Sequence, residues 1–242
     1  MLADVEPYLV ERTLMANYIV LDLIVLAIFL TLLVRTKNWA AIVVAFAGGI
    51  LYFVVDYGYF YLIAGTREVT GANVALFLFW MSMSYGITNM GWMWLFFDDV
   101  HHRWEWSLFI IAGWLMCAYL SPALPFLRNQ IHCQRGVSQY HGFMALILFV
   151  AYGYLIWRNL TLKEGQTRAP IPTILFCGIL IQFSWEAVLL LAGIRPPNFY
   201  PLIRNSLLET NLGAPIMWLI HEWYVGRQER RRDLVRPGAA TS

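Results

Sequence analysis

The sequence predicts an all-α integral membrane protein with seven transmembrane helices. Hydrophobic residues make up 60% of its 242 residues, charged residues make up only 13%, and the mean hydropathy is +0.57. These values lie far from the balance of a soluble domain. Seven mostly apolar runs approach the roughly 20 residues that cross a bilayer, so a single transmembrane domain is expected over residues 1–242. The predicted helices cover residues 16–34, 39–64, 72–97, 106–120, 141–157, 172–194 and 206–224.

The first and last segments of the chain lie outside the predicted helices. The opening segment through Glu11 is acidic and lacks a secretory cleavage pattern, so the first helix is expected to stay in the membrane. Residues 225–242 form a basic tail, which we interpret as a topology determinant that touches anionic lipid. The overall formal charge of +2 argues against a dedicated nucleic-acid surface.

The distribution of lysine and arginine predicts the orientation, because these residues are enriched in cytoplasmic loops. One side of the predicted bundle carries six of them and the other side carries eleven. The N-terminus is therefore expected outside and the C-terminus in the cytoplasm. The six on the outer side are Arg12, Arg67, Arg128, Arg135, Arg195 and Arg204.

An internal repeat relates the two halves of the chain. Residues 84–91 and 206–213 share Ser, Thr, Asn and Gly at matching positions, and Gly-Ile-Leu precedes an acid in both the second and the sixth helix. Helices four crossings apart point the same way, which predicts a parallel repeat of three helices plus three. The repeat halves are about 16–97 and 141–224, with helix 106–120 as linker.

Four carboxylates lie inside the apolar runs: Asp22, Asp56, Glu186 and Glu209. An acid in hydrocarbon is costly, so its default interpretation is functional. At 1.5 Å per residue all four are expected in the outer half of the membrane. For Asp22 a position near the interface, where the side chain reaches water, is an equal alternative.

Polar and aromatic side chains accompany these acids. Asn89 and Asn211 are expected either to orient the acids or to hydrogen-bond across helices as structural groups. The aromatic faces near mid-depth attract cations, which suits a carbocation reaction beside an acid. The aromatic residues expected to bind substrate are Tyr57, Trp80, Tyr85, Trp92 and Trp185.

Two motifs carry a resemblance to a known family. The run Phe183-Ser184-Trp185-Glu186 resembles the Asn-Phe-Ala-Trp-Glu signature of the small integral-membrane terpene cyclases of fungal indole-diterpene and meroterpenoid pathways. The run Asn89-Met90-Gly91 resembles the Asn-hydrophobic-Gly of their following helix. The resemblance implies a cyclisation without cofactor, in which an acid protonates an epoxide or alkene of a lipophilic prenylated small molecule.

The positions of the acids depart from the family pattern. Family members use one acid in an early helix and one in the last, whereas here the Trp-Glu pair lies in the sixth helix and Asp56 lies in the second. We expect Glu186 and Asp56 to form the acid pair, one donating the proton and the other tuning it through a shared hydrogen bond. Glu209 is expected to be the final base or a second acid.

The alternatives to a cyclase are a transporter, a retinal protein and a metal-binding protein. A proton-coupled small-solute transporter of the SWEET type also fits a parallel three-one-three arrangement with membrane carboxylates. A retinal protein would need a lysine inside a helix, and both Lys37 and Lys163 lie in loops. The acidic and histidine-containing segment 98–102 is interpreted as a solvated loop, so no metal and no cofactor are expected.

Overall fold

The computed structural model describes residues 9–136, 140–163 and 167–235. The predicted helical class is confirmed, because the structure is 76% helical and the described part of the chain forms seven helices. Five of them are long and apolar enough to cross a membrane. The helices are α1 (Asn17–Arg35), α2 (Trp39–Ile63), α3 (residues 74–98), α4 (Arg103–Leu120), α5 (Tyr140–Leu160), α6 (Ile171–Leu191) and α7 (Phe199–Val235).

Among the described helices, α3 and α7 do not meet this criterion of length and apolar composition. A π-helical turn (Gly86–Met90) divides α3, and α2 likewise continues as a π-helix over Val54–Ile63. Such π segments are frequent at functional sites. Large apolar side chains remain exposed along the other helices, as a lipid-facing surface requires; Phe149 is 72% exposed and Val43 is 68% exposed.

The all-α class needs a correction, because the structure contains a three-stranded antiparallel sheet. Its strands are β1 (Leu9–Met15), β2 (Arg67–Thr70) and β3 (Gln130–Gly136), in the order β1-β3-β2. The strands are short and their inward face mixes apolar residues with arginines. The alternation of apolar and polar residues that marks a half-buried strand is therefore hidden in the sequence.

The last helix also needs a correction. It begins at Phe199 rather than at residue 206, and it continues to Val235 through the first part of the predicted basic tail. Residues 225–235 contain four arginines, one Gln and one Glu, which favour helix, and no proline interrupts them.

Two glycines allow helices to pack in backbone contact. A Cβ atom at Gly86 in α3 would lie 1.9 Å from the backbone nitrogen of Gly49 in α2. A Cβ atom at Gly178 in α6 would lie 2.6 Å from the Cα atom of Asn211 in α7. Each contact joins an acid-bearing helix to its neighbour, so both fix the depth at which the acids lie.

We expect Gly86→Ala to lower the free energy of unfolding by about 1–3 kcal/mol or more, because overpacking here meets backbone that cannot move aside. Gly153→Ala is the matched control, since a Cβ atom there meets nothing within 4 Å. Denaturant titration of both variants in detergent micelles measures the difference. Equal stability of the two variants would contradict the close approach.

Candidate functional site

The inward face of the sheet brings three arginines together. Arg12 lies on β1, Arg67 on β2 and Arg135 on β3, and the register places Arg67 directly opposite Arg135. Like charges in directly opposed positions destabilise a sheet. The pair is compatible with the fold because a carboxylate from the helices lies between the two guanidinium groups.

Asp56, in the π-helical part of α2, is that carboxylate. Its Oδ2 accepts from Nη2 of Arg67 at 3.3 Å, and its Oδ1 accepts from Nη1 of Arg135 at 3.2 Å. Nη2 of Arg135 also donates to Oε1 of Glu209 in α7 at 3.0 Å. Arg135 therefore links an acid of α2 to an acid of α7.

Gln182 in α6 extends this chain of contacts. Its amide nitrogen lies 3.2 Å from Oε2 of Glu209 and 3.2 Å from Oε1 of Glu186. Its carbonyl oxygen accepts from the hydroxyl of Thr210 at 2.5 Å, which fixes the orientation of the amide. The amide thus joins the two glutamates through its nitrogen.

Glu186 ends the chain of contacts and is the most deeply buried of these acids, at 1% exposure. Arg195, which follows α6, donates to both of its carboxylate oxygens, with Nη2 2.7 Å from Oε1. Asn205 of α7 also donates to Oε1, at 3.1 Å. We call Asp56, Glu186 and Glu209, with Arg12, Arg67, Arg135, Arg195 and Gln182, the ion-pair network.

Arg12 differs from the other three arginines of the network. Among the described residues no carboxylate lies within ion-pair distance of it. Its Nη1 is 3.6 Å from the sulfur of Met81, and its guanidinium lies 5.3 Å from the ring centroid of Tyr85. Arg12 is nonetheless only 8% exposed.

Asp22 is a buried carboxyl separate from the network. It is 1% exposed and lies in α1. Its Oδ2 accepts from the indole nitrogen of Trp80 at 2.9 Å, and the hydroxyl of Ser84 lies 3.0 Å from Oδ1. No arginine, lysine or histidine of the described chain forms an ion pair with it.

Two cavities adjoin these groups, and Arg12 and Tyr85 line both of them. The aromatic cavity measures about 20 Å³ and the polar cavity about 40 Å³. The walls of the aromatic cavity include Tyr18, Trp80, Ser84, Trp185 and Leu189. The polar cavity is further lined by Tyr52, Asp56, Arg67, Ser82, Arg135 and Glu209.

The structure brings most of the predicted site residues to this region. Asp56, Glu186 and Glu209 lie in one network, although Asp56 and Glu186 share no direct hydrogen bond. Trp80 binds Asp22, and the indole of Trp185 donates to the hydroxyl of Tyr85.

Four predicted residues lie apart from both cavities. The buried side-chain amide of Asn89 has no hydrogen-bond partner in the described part of the chain, and Asn211 pairs with Tyr152 and a backbone carbonyl, so neither contacts an acid there. Trp92 donates to Ser107 in the core. Tyr57 stacks on its neighbours Phe53 and Tyr61.

Sequence reasoning missed the role of the arginines. Four of the six assigned to the outer loops point into the network, where they bind carboxylates or line the cavities. The available signal was period two, with Val10, Arg12 and Leu14 in β1 and Ile131, Cys133 and Arg135 in β3.

Segment 98–102 lies at the opposite end of the bundle, and its two acids pair with side chains of the segment itself and of the neighbouring helices. Asp98 pairs with His221, and Asp99 accepts from His102 and Trp106. Burial raises the pKa of Asp99, but the hydrogen bonds from Trp106 and His102 outweigh it and hold that pKa below its ordinary value. In the described part of the chain, no three metal-ligating side chains come together.

A scan against models of known families finds no match, and searches of curated proteins and of solved structures find none either. The site is therefore interpreted from its own geometry.

The ion pair between Glu186 and Arg195 provides a stability test. Arg195→Gln leaves Glu186 buried without its cation, and we expect it to lower the free energy of unfolding by about 3–5 kcal/mol. Arg158→Gln is the control, because the pair Arg158–Glu222 is 20% and 35% exposed and lies at the opposite end, where about 0–1 kcal/mol is expected.

Denaturant titration in detergent micelles compares these variants with the double variant Glu186→Gln/Arg195→Gln. The double variant should lose less stability than the sum of the single variants, since neither charge is left unpaired. Additive losses, or a loss in Arg195→Gln no greater than in Arg158→Gln, would contradict the pairing.

Proposed function

We propose that the protein is an integral-membrane cyclase that protonates an apolar prenyl chain and lets it cyclise through carbocations. The observation that carries this proposal is Asp22, a buried carboxyl that no cation of the described chain neutralises, directly behind the wall of an aromatic cavity. A buried carboxyl without a cation favours its neutral form, because the ionised form loses its hydration. Such a group holds a proton that it can donate.

Ser84 provides the route for this proton. Its hydroxyl contacts Asp22, and its side chain lines the aromatic cavity. In the proposed step Ser84 gives its proton to an epoxide oxygen or an alkene carbon of the substrate and takes a proton from Asp22. The substrate becomes a cation and Asp22 becomes a carboxylate, so charge is conserved.

The aromatic rings around the cavity then stabilise the cations. Tyr85 and Trp185 lie edge to face with centroids 5.1 Å apart, and Tyr18 and Trp80 lie 6.1 Å apart. The face of an aromatic ring attracts a desolvated cation by about 2 kcal/mol or more. Because the cavity is only about 20 Å³, the proposal requires that substrate binding move the rings of Tyr85 and Trp185 apart.

The network acids take different roles from those expected of them. We propose that Glu186 and Asp56, whose carboxylates are held by arginines, are not the acid pair that the sequence predicts. We assign them to holding the sheet on the helices. Glu209, an arginine-bound carboxylate that lines the neighbouring polar cavity, is proposed as the base that takes the final proton.

The membrane arrangement forms part of the same proposal. We propose that all seven helices cross the bilayer as a parallel three-one-three repeat, with the N-terminus outside and the C-terminus in the cytoplasm. Both cavities then lie toward the outer ends of the helices, and a lipophilic chain enters the aromatic cavity from the bilayer.

We expect Asp22→Asn to reduce conversion about 10²–10⁴-fold, which is the usual contribution of a general acid. Ser84→Ala should also slow conversion, because it interrupts the proton route. Glu105→Gln, an exposed acid on α4, is the control and should leave the rate unchanged. The assay follows membranes supplied with prenylated aromatic compounds that bear a terminal epoxide, and detects products of unchanged mass with new retention.

Full activity in Asp22→Asn would overturn the assignment of the proton donor. No conversion by the unaltered protein across a varied panel of epoxides and alkenes would overturn the cyclase proposal. Proton-dependent uptake of a small solute by vesicles containing the protein would then establish the transporter alternative.

A further inference from the structure

The ion-pair network holds one more positive charge than negative charge in the described part of the chain. Four guanidinium groups face three carboxylates, and Arg12 is the cation without a carboxylate partner. Among the described residues its guanidinium contacts the sulfur of Met81 and the ring of Tyr85. A buried charge without a counter-ion is strongly unfavourable, so the site has the electrostatics of an anion-binding site.

The position of Arg12 indicates what kind of molecule brings the anion. Arg12 and Tyr85 line both cavities and therefore lie where the aromatic cavity meets the polar cavity. A ligand whose apolar chain occupies the aromatic cavity places its head group beside Arg12. The ligand that matches the chemistry of both cavities, once the rings of Tyr85 and Trp185 have moved apart, is an amphiphile with one polar end.

We propose that the polar cavity binds the carboxylate head group of a prenyl ligand, with Arg12 as its principal partner. The proposal rests on the proposed function only in taking this ligand to be the substrate. A planar carboxylate matches the fork of a guanidinium group and accepts two parallel hydrogen bonds from it. Ser82, whose buried hydroxyl has no hydrogen-bond partner within residues 9–136, 140–163 and 167–235, lines the same cavity.

Size and charge both favour a carboxylate over a phosphate. The cavity measures about 40 Å³, and a water molecule needs about 10–15 Å³ of such space, so a group of about three non-hydrogen atoms fits. One negative charge balances the surplus of the network, whereas a dianion would reverse it. Asp56 and Glu209 also line the cavity, but Arg67 and Arg135 already neutralise them.

Binding of a matched pair of compounds tests this proposal without any turnover. A farnesyl-length prenyl carboxylic acid and its methyl ester differ in the charge of the head group and in one methyl group, and neither carries an epoxide. The quenching of tryptophan fluorescence in the purified full-length protein reports the affinity of each. The acid should bind about tenfold or more tightly than the ester, because a charged hydrogen bond is lost in the ester.

Two variants of Arg12 test whether this residue causes the preference for the acid over the ester. Arg12→Gln should abolish the preference for the acid and leave the affinity for the ester unchanged, and Arg12→Lys should keep part of it. Arg128→Gln, an exposed arginine on the same side of the bundle, is the matched control and should behave as the unaltered protein.

Three results would overturn the proposal. These are equal affinity of the unaltered protein for acid and ester, a preference that survives Arg12→Gln, and tighter binding of the corresponding prenyl phosphate. The first and third need only the unaltered protein, so they hold even where Arg12→Gln fails to fold. A preference for the acid in a protein without cyclase activity would leave the anion site standing and the cyclase proposal refuted.

Discussion

A guanidinium group buried among apolar helices is costly unless a carboxylate lies beside it, and this constraint joins the two parts of the molecule. The sheet is formed by three strands far apart in the chain, and each contributes one arginine to its inward face. The acids that pair with Arg67 and Arg135 come from α2 and α7, whereas Glu186 of α6 pairs with Arg195, which lies outside the sheet. Because breaking a buried ion pair costs several kcal/mol, the sheet cannot separate from the helix ends without unfolding the network.

Two buried groups, Arg12 and Asp22, have no partner of opposite charge in the described part of the chain. Within the described residues the network uses three carboxylates for four arginines and leaves Arg12 as a cation without a partner. Asp22, near the same region, is an acid that pairs with no cation of the described chain. The proposed chemistry depends on these two groups, since one attracts an anionic head group and the other supplies a proton to an apolar chain.

The sequence allowed the helices and the acids to be predicted, because both follow from local composition. Apolar runs mark helices, and acids such as Asp56, Glu186 and Glu209 stand out within them. The ion pairs could not be predicted, because Arg135 lies 79 residues from Asp56 and 74 from Glu209 along the chain. Arg12 and Arg67 resembled ordinary loop charges, and so the sheet that carries them was missed.

The central claim is that Asp22 carries a proton while the network acids are ionised. Infrared difference spectroscopy of the carboxyl groups tests this claim most directly. Neutral carboxyl groups and carboxylates absorb in separate bands. We expect Asp22→Asn to remove a protonated-carboxyl band at neutral pH and Glu186→Gln to remove only carboxylate absorption. Loss of the protonated band in Glu186→Gln or Asp56→Asn, with none lost in Asp22→Asn, would contradict it.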